Sequence, residues 1–294
     1  MSDERVGDER VGDERVGDER VAMNARLEIV RTRSGALAIR SLAADEVMHP
    51  GVGPMAEAEQ LYVRQSCLAE RLRAAEGPTL VLFDIGMGAA SNAIAALAES
   101  ERAPASAARL ELISFERDRG ALRMALSRPA AFGLEGAFGE GARALLDRGR
   151  YETSRTCWRL EDGDALAALV RQTARPDIVF WDPFSPRVNP SLWTVEAFAQ
   201  VRRKAGPRCT LFTYSASTAV RVALLLAGWA VGVGEAIGDK AATTAAAVRA
   251  TDLEHPLDRN WLTRLSLPKV PLPSDAPADA VQRVAAAPQF SVAG

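Results

Sequence analysis

The sequence predicts an α/β fold in which a mostly parallel sheet carries helices on both faces. Short apolar runs alternate along the chain with segments whose apolar residues recur at helical spacing, and this alternation is typical of parallel strands joined by crossover helices. The apolar runs are also continuous, as in Leu80–Phe83 and Ile178–Trp181, which is the pattern of strands buried on both faces. We therefore expect a layered α/β domain to form the main body of the chain.

The same pattern gives the order of the elements. Strands are predicted at Leu80–Asp84, Leu110–Glu116, Thr156–Glu161, Asp177–Asp182, Cys209–Tyr214 and Trp229–Ala236, with Ala245–Ala250 as a last strand antiparallel to its neighbour. Helices are predicted at Ser91–Ser100, Asp118–Leu126, Gly136–Arg148, Asp164–Thr173, Thr194–Lys204 and Ser217–Ala227. Because a helix lies between successive strands, these connections are expected to be crossovers of a parallel sheet.

The two ends of the chain differ from this main domain, which we place at residues 77–267. Residues 1–22 repeat an Asp-Glu-Arg-Val-Gly pentad. One apolar residue per pentad matches neither helix nor strand period, so we expect a disordered extension. Residues 268–294 are rich in Pro, Ala and Asp and are expected to form a flexible tail.

Residues 23–76 are predicted to pack on the main domain. Leu27–Thr32 and Ala36–Arg40 alternate across Ser34-Gly35, which indicates a hairpin. Apolar residues at helical spacing within Ala56–Ala75 predict a helix that enters the main domain.

Composition narrows the class of protein. The 294 residues are 48% hydrophobic and 25% charged, as in globular proteins. The sequence contains neither a run of 18 apolar residues nor an apolar segment at its acidic amino terminus, so we expect no transmembrane helix and no secretory signal. The three cysteines are far apart and odd in number, which favours reduced thiols and a cytoplasmic location. His49 and His255 lack partners at metal-ligand spacing, so we expect neither a metal site nor a Cys/His catalytic pair.

A glycine-rich loop follows the first strand of the main domain. Asp84 precedes the segment Gly86–Gly88, and Asn92 lies in the first turn of the next helix. Two glycines separated by one residue let the backbone turn tightly and approach a ligand. Ser91 replaces the third glycine of the dinucleotide fingerprint. The loop therefore favours S-adenosylmethionine, which has no pyrophosphate and presents an ammonium group that an acid can neutralise. A simple strand–helix turn is the alternative.

Two later strand ends carry residues suited to the same cofactor. Glu116 ends the second strand, where a carboxylate can accept hydrogen bonds from both ribose hydroxyls. Asp164 and Ala165 follow the third strand, where an adenine amino group is expected. Either acid could instead be a helix N-cap, and this alternative is strong for Asp164. Because carboxyl ends of parallel strands share one edge of a sheet, these residues and the glycine loop predict one site.

A proline-rich loop from Asp182 to Trp193 follows the fourth strand. An amine that attacks a sulfonium methyl group must be neutral, yet a free alkylamine has a pKa of roughly 10. A carboxylate at Asp182 could orient the amine, take up its proton and stabilise the positive charge that develops on nitrogen. Phe184 and Trp193 are candidates for stacking on a planar substrate, and Arg187 for holding an anion. Core packing for Trp193 and solvent exposure for Arg187 are the alternatives.

These motifs resemble the methyltransferase domain of the bifunctional enzyme that completes 5-methylaminomethyl-2-thiouridine at the tRNA wobble position. The resemblance spans residues 51–250 and rests on Gly86-Met87-Gly88 with Asn92, on Ile113-Ser114-Phe115-Glu116, and on Asp182, Phe184, Pro186, Asn189, Pro190 and Trp193. It implies a Rossmann-like class I methyltransferase fold, S-adenosylmethionine as methyl donor, and Asp182 as the residue that contacts the reacting amine.

The chain departs from the family pattern at three points. Pro183 stands where the family has a loop glycine, which moves the motif toward the general amino-methyltransferase pattern. The family's basic hairpin is replaced by Ile237–Thr244, which contains one lysine and one aspartate. No sequence remains for the flavin-dependent oxidase domain, so we expect a stand-alone methyltransferase without flavin.

The predicted function is S-adenosylmethionine-dependent N-methylation, with the aminomethyl group of a modified wobble uridine in tRNA as the leading acceptor. The tRNA follows from the resemblance alone, because lysine is scarce and no basic tail or arm is present. We expect no DNA or membrane partner, and nothing indicates an oligomeric state. The alternatives are a methyltransferase or aminopropyl-transferase-like enzyme for another amine, and a degenerate homologue that only binds the donor.

Overall fold

The computed structural model describes residues 27–236, 242–267 and 269–291, so the pentad repeat and most of the Ile237–Thr244 segment lie outside it. A small antiparallel sheet comes first, formed by β1 (Leu27–Arg31), β2 (Leu37–Ser41) and β3 (Glu46–Val47). The predicted hairpin is thus present as β1 and β2, and β3 adds a third strand.

The main sheet has eight strands within the described residues, in the order β10-β11-β9-β8-β4-β5-β7-β6. These strands are β4 (Thr79–Ile85), β5 (Arg109–Glu116), β6 (Arg150–Glu152), β7 (Thr156–Asp162), β8 (Ile178–Trp181), β9 (Thr210–Thr213), β10 (Ala230–Gly234) and β11 (Thr243–Ala247). The strands from β9 to β7 are parallel, β11 runs antiparallel to both β9 and β10, and β6 is antiparallel to β7. The predicted fold class is confirmed. The edge strand β6 was not predicted, because its three residues are too few to show a period.

Helices cover both faces of this sheet. They are α1 (Pro54–Glu57), α2 (Leu68–Ala74), α3 (Ser91–Arg102), α4 (Gly120–Leu126), α5 (Gly136–Arg148), α6 (Ala165–Arg171), α7 (Val195–Lys204), α8 (Thr218–Leu226), α9 (Ala280–Ala285) and α10 (Pro288–Ser291). Short 3₁₀ helices form at Pro129–Phe132, Pro190–Trp193, Ala250–Asp252 and Arg259–Ser266. A separate apolar core lies on each face, one containing Trp158 and the other Trp181.

The helix predicted over Ala56–Ala75 is interrupted. A π-helix, Ala58–Arg64, follows α1 directly, and Cys67 then adopts a left-handed backbone with φ of 51° before α2 begins. The π-helix buries Tyr62 completely and directs it toward the carboxyl ends of the strands.

The carboxyl-terminal segment differs from the flexible tail that its composition predicted. Phe290 is buried and stacks on Trp261, with ring centroids 6.5 Å apart. The side-chain amide of Gln289 accepts a hydrogen bond from the N–H of Val231 and donates to the carbonyls of Val231 and Leu257. Val231 belongs to the edge strand β10; its carbonyl also accepts a hydrogen bond from the N–H of Leu257, and Gln289 is the acceptor for its N–H. Residues 280–291 therefore cap the sheet.

Among the helices described, none combines the length and the apolar character needed to cross a membrane.

Candidate active site

A cleft of about 990 Å³ opens at the carboxyl ends of the central strands. Segments that directly follow β4, β5, β7 and β8 line it, namely Gly86–Gly88, Glu116–Asp118, Gly163–Ala165 and Asp182–Ser185. Residues 43–50 of the small sheet and its following loop form the opposite wall. Beside β4 the chain order reverses, with β5 on one side and β8 on the other, and ligands of open α/β sheets bind at such a point.

The glycine loop contacts the loop that follows β8. Gly86 has a φ of 85°, and a Cβ atom built on it would lie 2.7 Å from both the backbone N and the Cα of Pro183. Only glycine combines this conformation with so close an approach. The two loops identified in the sequence therefore meet, backbone against backbone, at the floor of the cleft.

Glu116 holds the glycine loop in place. Its carboxylate accepts hydrogen bonds from the backbone N–H groups of Gly88, Arg117 and Asp118, each 2.9 Å long. Burial raises the pKa of Glu116, and these backbone hydrogen bonds oppose the rise. A carboxylate offers about four acceptor positions, so roughly one remains for a ligand. The expected hydrogen bonds to both ribose hydroxyls stay a prediction.

Asp84 lies beneath the cleft and is fully buried. Ser114 donates its hydroxyl hydrogen to Oδ2 at 2.7 Å, and Trp158 donates to the Ser114 hydroxyl. The other carboxyl oxygen, Oδ1, has no hydrogen-bond partner within the described residues. Burial is the main cause that raises the pKa of Asp84 to about 7. Asp84 thus lies below the cleft and does not line its surface.

Asp164 and Ala165 line the cleft where they were expected. Asp164 is also the N-cap of α6, since its Oδ1 accepts a hydrogen bond of 2.9 Å from the N–H of Ala167. The N-cap interpretation is therefore confirmed, and a ligand contact would have to use the remaining capacity of the carboxylate.

Asp182 is the centre of a buried polar cluster, with its side chain 8% exposed. Asn92 donates a hydrogen bond of 2.8 Å to Oδ2, and the Nε2 atom of His49 lies 3.5 Å from the same oxygen. Burial raises the pKa of Asp182, and the nearby His49 opposes this rise. Asn92, expected at the cofactor, is 2% exposed and instead positions Asp182.

Sequence reasoning missed three members of this cluster. His49 reaches Asp182 from the loop after β3, and its Nδ1 atom lies 3.8 Å from Oε2 of Glu57 on α1. Burial and the neighbouring Asp182 raise the pKa of Tyr62, so its hydroxyl stays protonated at neutral pH. The sequence showed no partner for His49 because both of its acids approach from other elements of the fold.

Trp193 packs behind the loop that follows β8. Its side chain is 4% exposed, its indole N–H donates to the carbonyl of Phe184, and its ring meets Tyr214 edge to face at 5.7 Å. Tyr214 in turn donates its hydroxyl hydrogen to the carbonyl of Pro183 at 3.0 Å. Trp193 is therefore a core residue, which was the alternative to stacking on a substrate. In this position its ring packs against Tyr214 and its N–H has an acceptor. Phe184 lines the cleft as expected.

Arg187 fastens the same loop to the small sheet. It donates to the carbonyl of Ala44 at 2.7 Å and pairs with Glu46 at 3.1 Å. Ser185 also donates to Glu46, through both its N–H and its hydroxyl. The expected anion contact of Arg187 is therefore replaced by a carboxylate of the protein itself.

Known proteins are similar to this chain in sequence and in fold. Residues 143–249 match a family model described as S-adenosyl-L-methionine-dependent methyltransferase. The chain is similar to the tRNA 5-methylaminomethyl-2-thiouridine biosynthesis bifunctional protein MnmC of Burkholderia thailandensis, with 30% identity over 195 residues that cover 63% of this chain and 30% of that protein. MnmC of Pseudomonas fluorescens is 32% identical over 214 residues, which cover 68% of this chain and 32% of that protein. The chain thus spans about a third of the length of the curated relatives it matches.

A solved structure extends the comparison. The crystal structure of MNMC2 from Aquifex aeolicus matches with a TM-score of 0.68 and 25% sequence identity, over 88% of this chain and 84% of that chain. Together with the cleft, these similarities define the class of protein as S-adenosyl-L-methionine-dependent methyltransferase. Within that class the chain is similar to MnmC, and the resemblance seen in its sequence motifs is confirmed.

Proposed function

We propose that this chain transfers a methyl group from S-adenosylmethionine to the aminomethyl nitrogen of a modified wobble uridine in tRNA. The observation that carries the proposal is the backbone contact between Gly86 and Pro183. It brings the loop suited to a methyl donor against the loop that carries the buried carboxylate of Asp182. A methyl group held by the first loop would therefore face an amine held by the second.

The residues of the donor half fit S-adenosylmethionine. The cleft volume of about 990 Å³ lies at the upper end of the roughly 300–1,000 Å³ of small-molecule sites. We propose that Gly86–Gly88, Asp164 and Ala165 contact the donor, and that Glu116 accepts one ribose hydroxyl. Asp84 lies beneath the glycine loop, and one of its carboxyl oxygens has no partner among the described residues. An ammonium group bound above it would favour the ionised form of this carboxyl group. When bound, S-adenosylmethionine supplies an electrophilic methyl group.

The acceptor half acts through Asp182. Its carboxylate would accept an N–H hydrogen bond from the amine and so aim the nitrogen lone pair at the methyl group. It would also stabilise the positive charge that develops on nitrogen, in a site shielded from water. The hydrogen bond from Asn92 fixes the carboxylate, and Phe184 at the cleft wall offers a ring on which a base can stack.

The tRNA acceptor is supported by the relatives, whose names state a role in tRNA 5-methylaminomethyl-2-thiouridine biosynthesis. The exposed side chain of Arg117 at the cleft adds a positive charge that can meet a phosphate.

Methyl transfer from labelled donor to tRNA tests the proposal. The tRNA is isolated from cells that make the aminomethyl uridine but cannot methylate it, and the nucleosides are analysed by mass spectrometry. We expect one methyl group on the aminomethyl nitrogen, and no incorporation into tRNA that is already methylated. Bulk protein and small alkylamines serve as competing acceptors. Label found in these acceptors and never in tRNA would overturn the assignment of the substrate.

A further inference from the structure

A single histidine lies among the acids at the floor of the cleft. Within the described part of the chain, the other titratable groups that face Asp182 from other elements are weak acids, namely Glu57 of α1, Tyr62 of the π-helix, Asp84 of β4 and Tyr214 after β9. Removal from water disfavours the charged form of a carboxyl group, and neighbouring negative charges disfavour it further. Among the residues that the structure describes, His49 is the nearby group whose charge favours ionisation of Asp182.

The backbone holds His49 in an unfavourable conformation to reach this place. Its φ is 54°, in the left-handed region, although Pro50 follows and residues before proline prefer an extended conformation. Such backbone strain persists only where the surroundings enforce it, and it is concentrated at functional sites. The anchor on one side is the hydrogen bond of 2.8 Å from the N–H of Met48 to the carbonyl of Ile39 on β2.

Glu57 lies on the side of the imidazole ring away from Asp182. Its carboxylate lies 3.8 Å from Nδ1 while Asp182 lies 3.5 Å from Nε2, so each ring nitrogen faces one carboxylate. The side chains are 13% exposed for His49 and 6% for Glu57. Burial disfavours a charged imidazolium ring, whereas a carboxylate facing each ring nitrogen favours it.

We propose that His49, oriented by Glu57, is a positioning residue that keeps the buried side chain of Asp182 ionised and therefore able to accept the N–H of the acceptor amine. The effect of His49 on methyl transfer rests on the proposed function. The electrostatic part, the coupling between His49 and Asp182, holds for the protein without any substrate.

The dependence of methyl-transfer rate on pH tests the catalytic part. In His49→Gln the pH below which Asp182 is lost as a base should rise by about one unit or more, so kcat falls most at acidic pH and recovers toward pH 9. KM for tRNA and donor affinity should stay unchanged. His49→Asn is the second variant, since asparagine tolerates a left-handed backbone. His255→Gln is the matched control, because His255 is 69% exposed and its near acid is Glu254. Loss of activity by the same factor at every pH would overturn the proposal.

Nuclear magnetic resonance of the two histidine rings tests the electrostatic part without any activity. The chain contains two histidines, so each ring can be assigned by comparison with the His255→Gln variant. In Asp182→Asn and in Glu57→Gln, the pH midpoint of the His49 titration should fall by about one unit or more, while that of His255 stays in place. A His49 midpoint that neither variant moves would overturn the coupling. Absence of tRNA methylation by the wild-type protein, with the midpoint shifted as expected, would instead reject the proposed function.

Discussion

The buried carboxyl group of Asp84 should make the stability of this protein fall with pH across a range in which most proteins are most stable. Burial raises its pKa to about 7 from an ordinary value of 3.8. In the unfolded chain the group loses its proton above about pH 4, whereas the folded protein retains the proton until about pH 7. Because the folded state binds more protons in this window, the free energy of unfolding decreases as pH rises through it.

The magnitude follows from the two pKa values. The two pKa values differ by about three units, each worth about 1.4 kcal/mol. Asp84 therefore lowers the free energy of unfolding by about 4 kcal/mol above pH 7 and by almost nothing below pH 4. About 2 kcal/mol of this loss of stability has occurred by pH 5, so about 2–3 kcal/mol is lost between pH 5 and pH 8. Asp84→Asn keeps the shape of the protonated side chain and removes its titration.

Urea unfolding of the ligand-free protein at pH 5 and pH 8 measures this effect. We expect the stability of Asp84→Asn relative to wild type to be about 2–3 kcal/mol more favourable at pH 8 than at pH 5. The control Asp147→Asn removes an exposed carboxylate on α5 and should follow the wild-type trend. A stability difference between Asp84→Asn and wild type that is equal at both pH values would refute the reasoning.

Two further substitutions test how the cleft and the sheet are built. Gly86→Ala should lower the midpoint of thermal unfolding and weaken donor binding in calorimetry, because the added Cβ meets the backbone of Pro183 at a cost of about 1–3 kcal/mol. Gly77→Ala is the control, since its Cβ has no neighbour within 4 Å. Equal effects of the two substitutions would argue against the contact. Gln289→Ala should destabilise the fold by about 1–3 kcal/mol in urea, since it leaves the N–H of Val231 on β10 without its acceptor. No loss relative to the exposed control Gln282→Ala would show that the capping amide is dispensable.

The parts of the site that follow a strand could be predicted from the sequence. Gly86, Glu116 and Asp182 each stand at the end of an apolar run, and the rule that such ends share one edge of a parallel sheet is enough to bring them together. The structure places all three at the cleft. Local pattern decides these positions, so no knowledge of packing was needed.

The residues that surround Asp182 could not be predicted in this way. His49 comes from a loop after the small sheet and Tyr62 from a π-helix, and their positions depend on how those elements dock onto the main sheet. Composition also failed to predict the structure of the carboxyl-terminal segment. This segment is rich in Pro and Ala, yet it places Gln289 and Phe290 at a sheet edge. Long-range packing determines such contacts, and the spacing of apolar residues along the sequence does not predict it.

The most direct test of the central claim compares Asp182→Asn with the wild-type protein at equal occupancy by the donor. Donor affinity is measured by calorimetry, and transfer to unmethylated tRNA is followed in a single turnover. Because the amide cannot take up a proton or neutralise positive charge on nitrogen, we expect unchanged donor affinity and a rate of methyl transfer lower by about 10²–10⁴-fold. A wild-type rate in Asp182→Asn would contradict the role of this carboxylate.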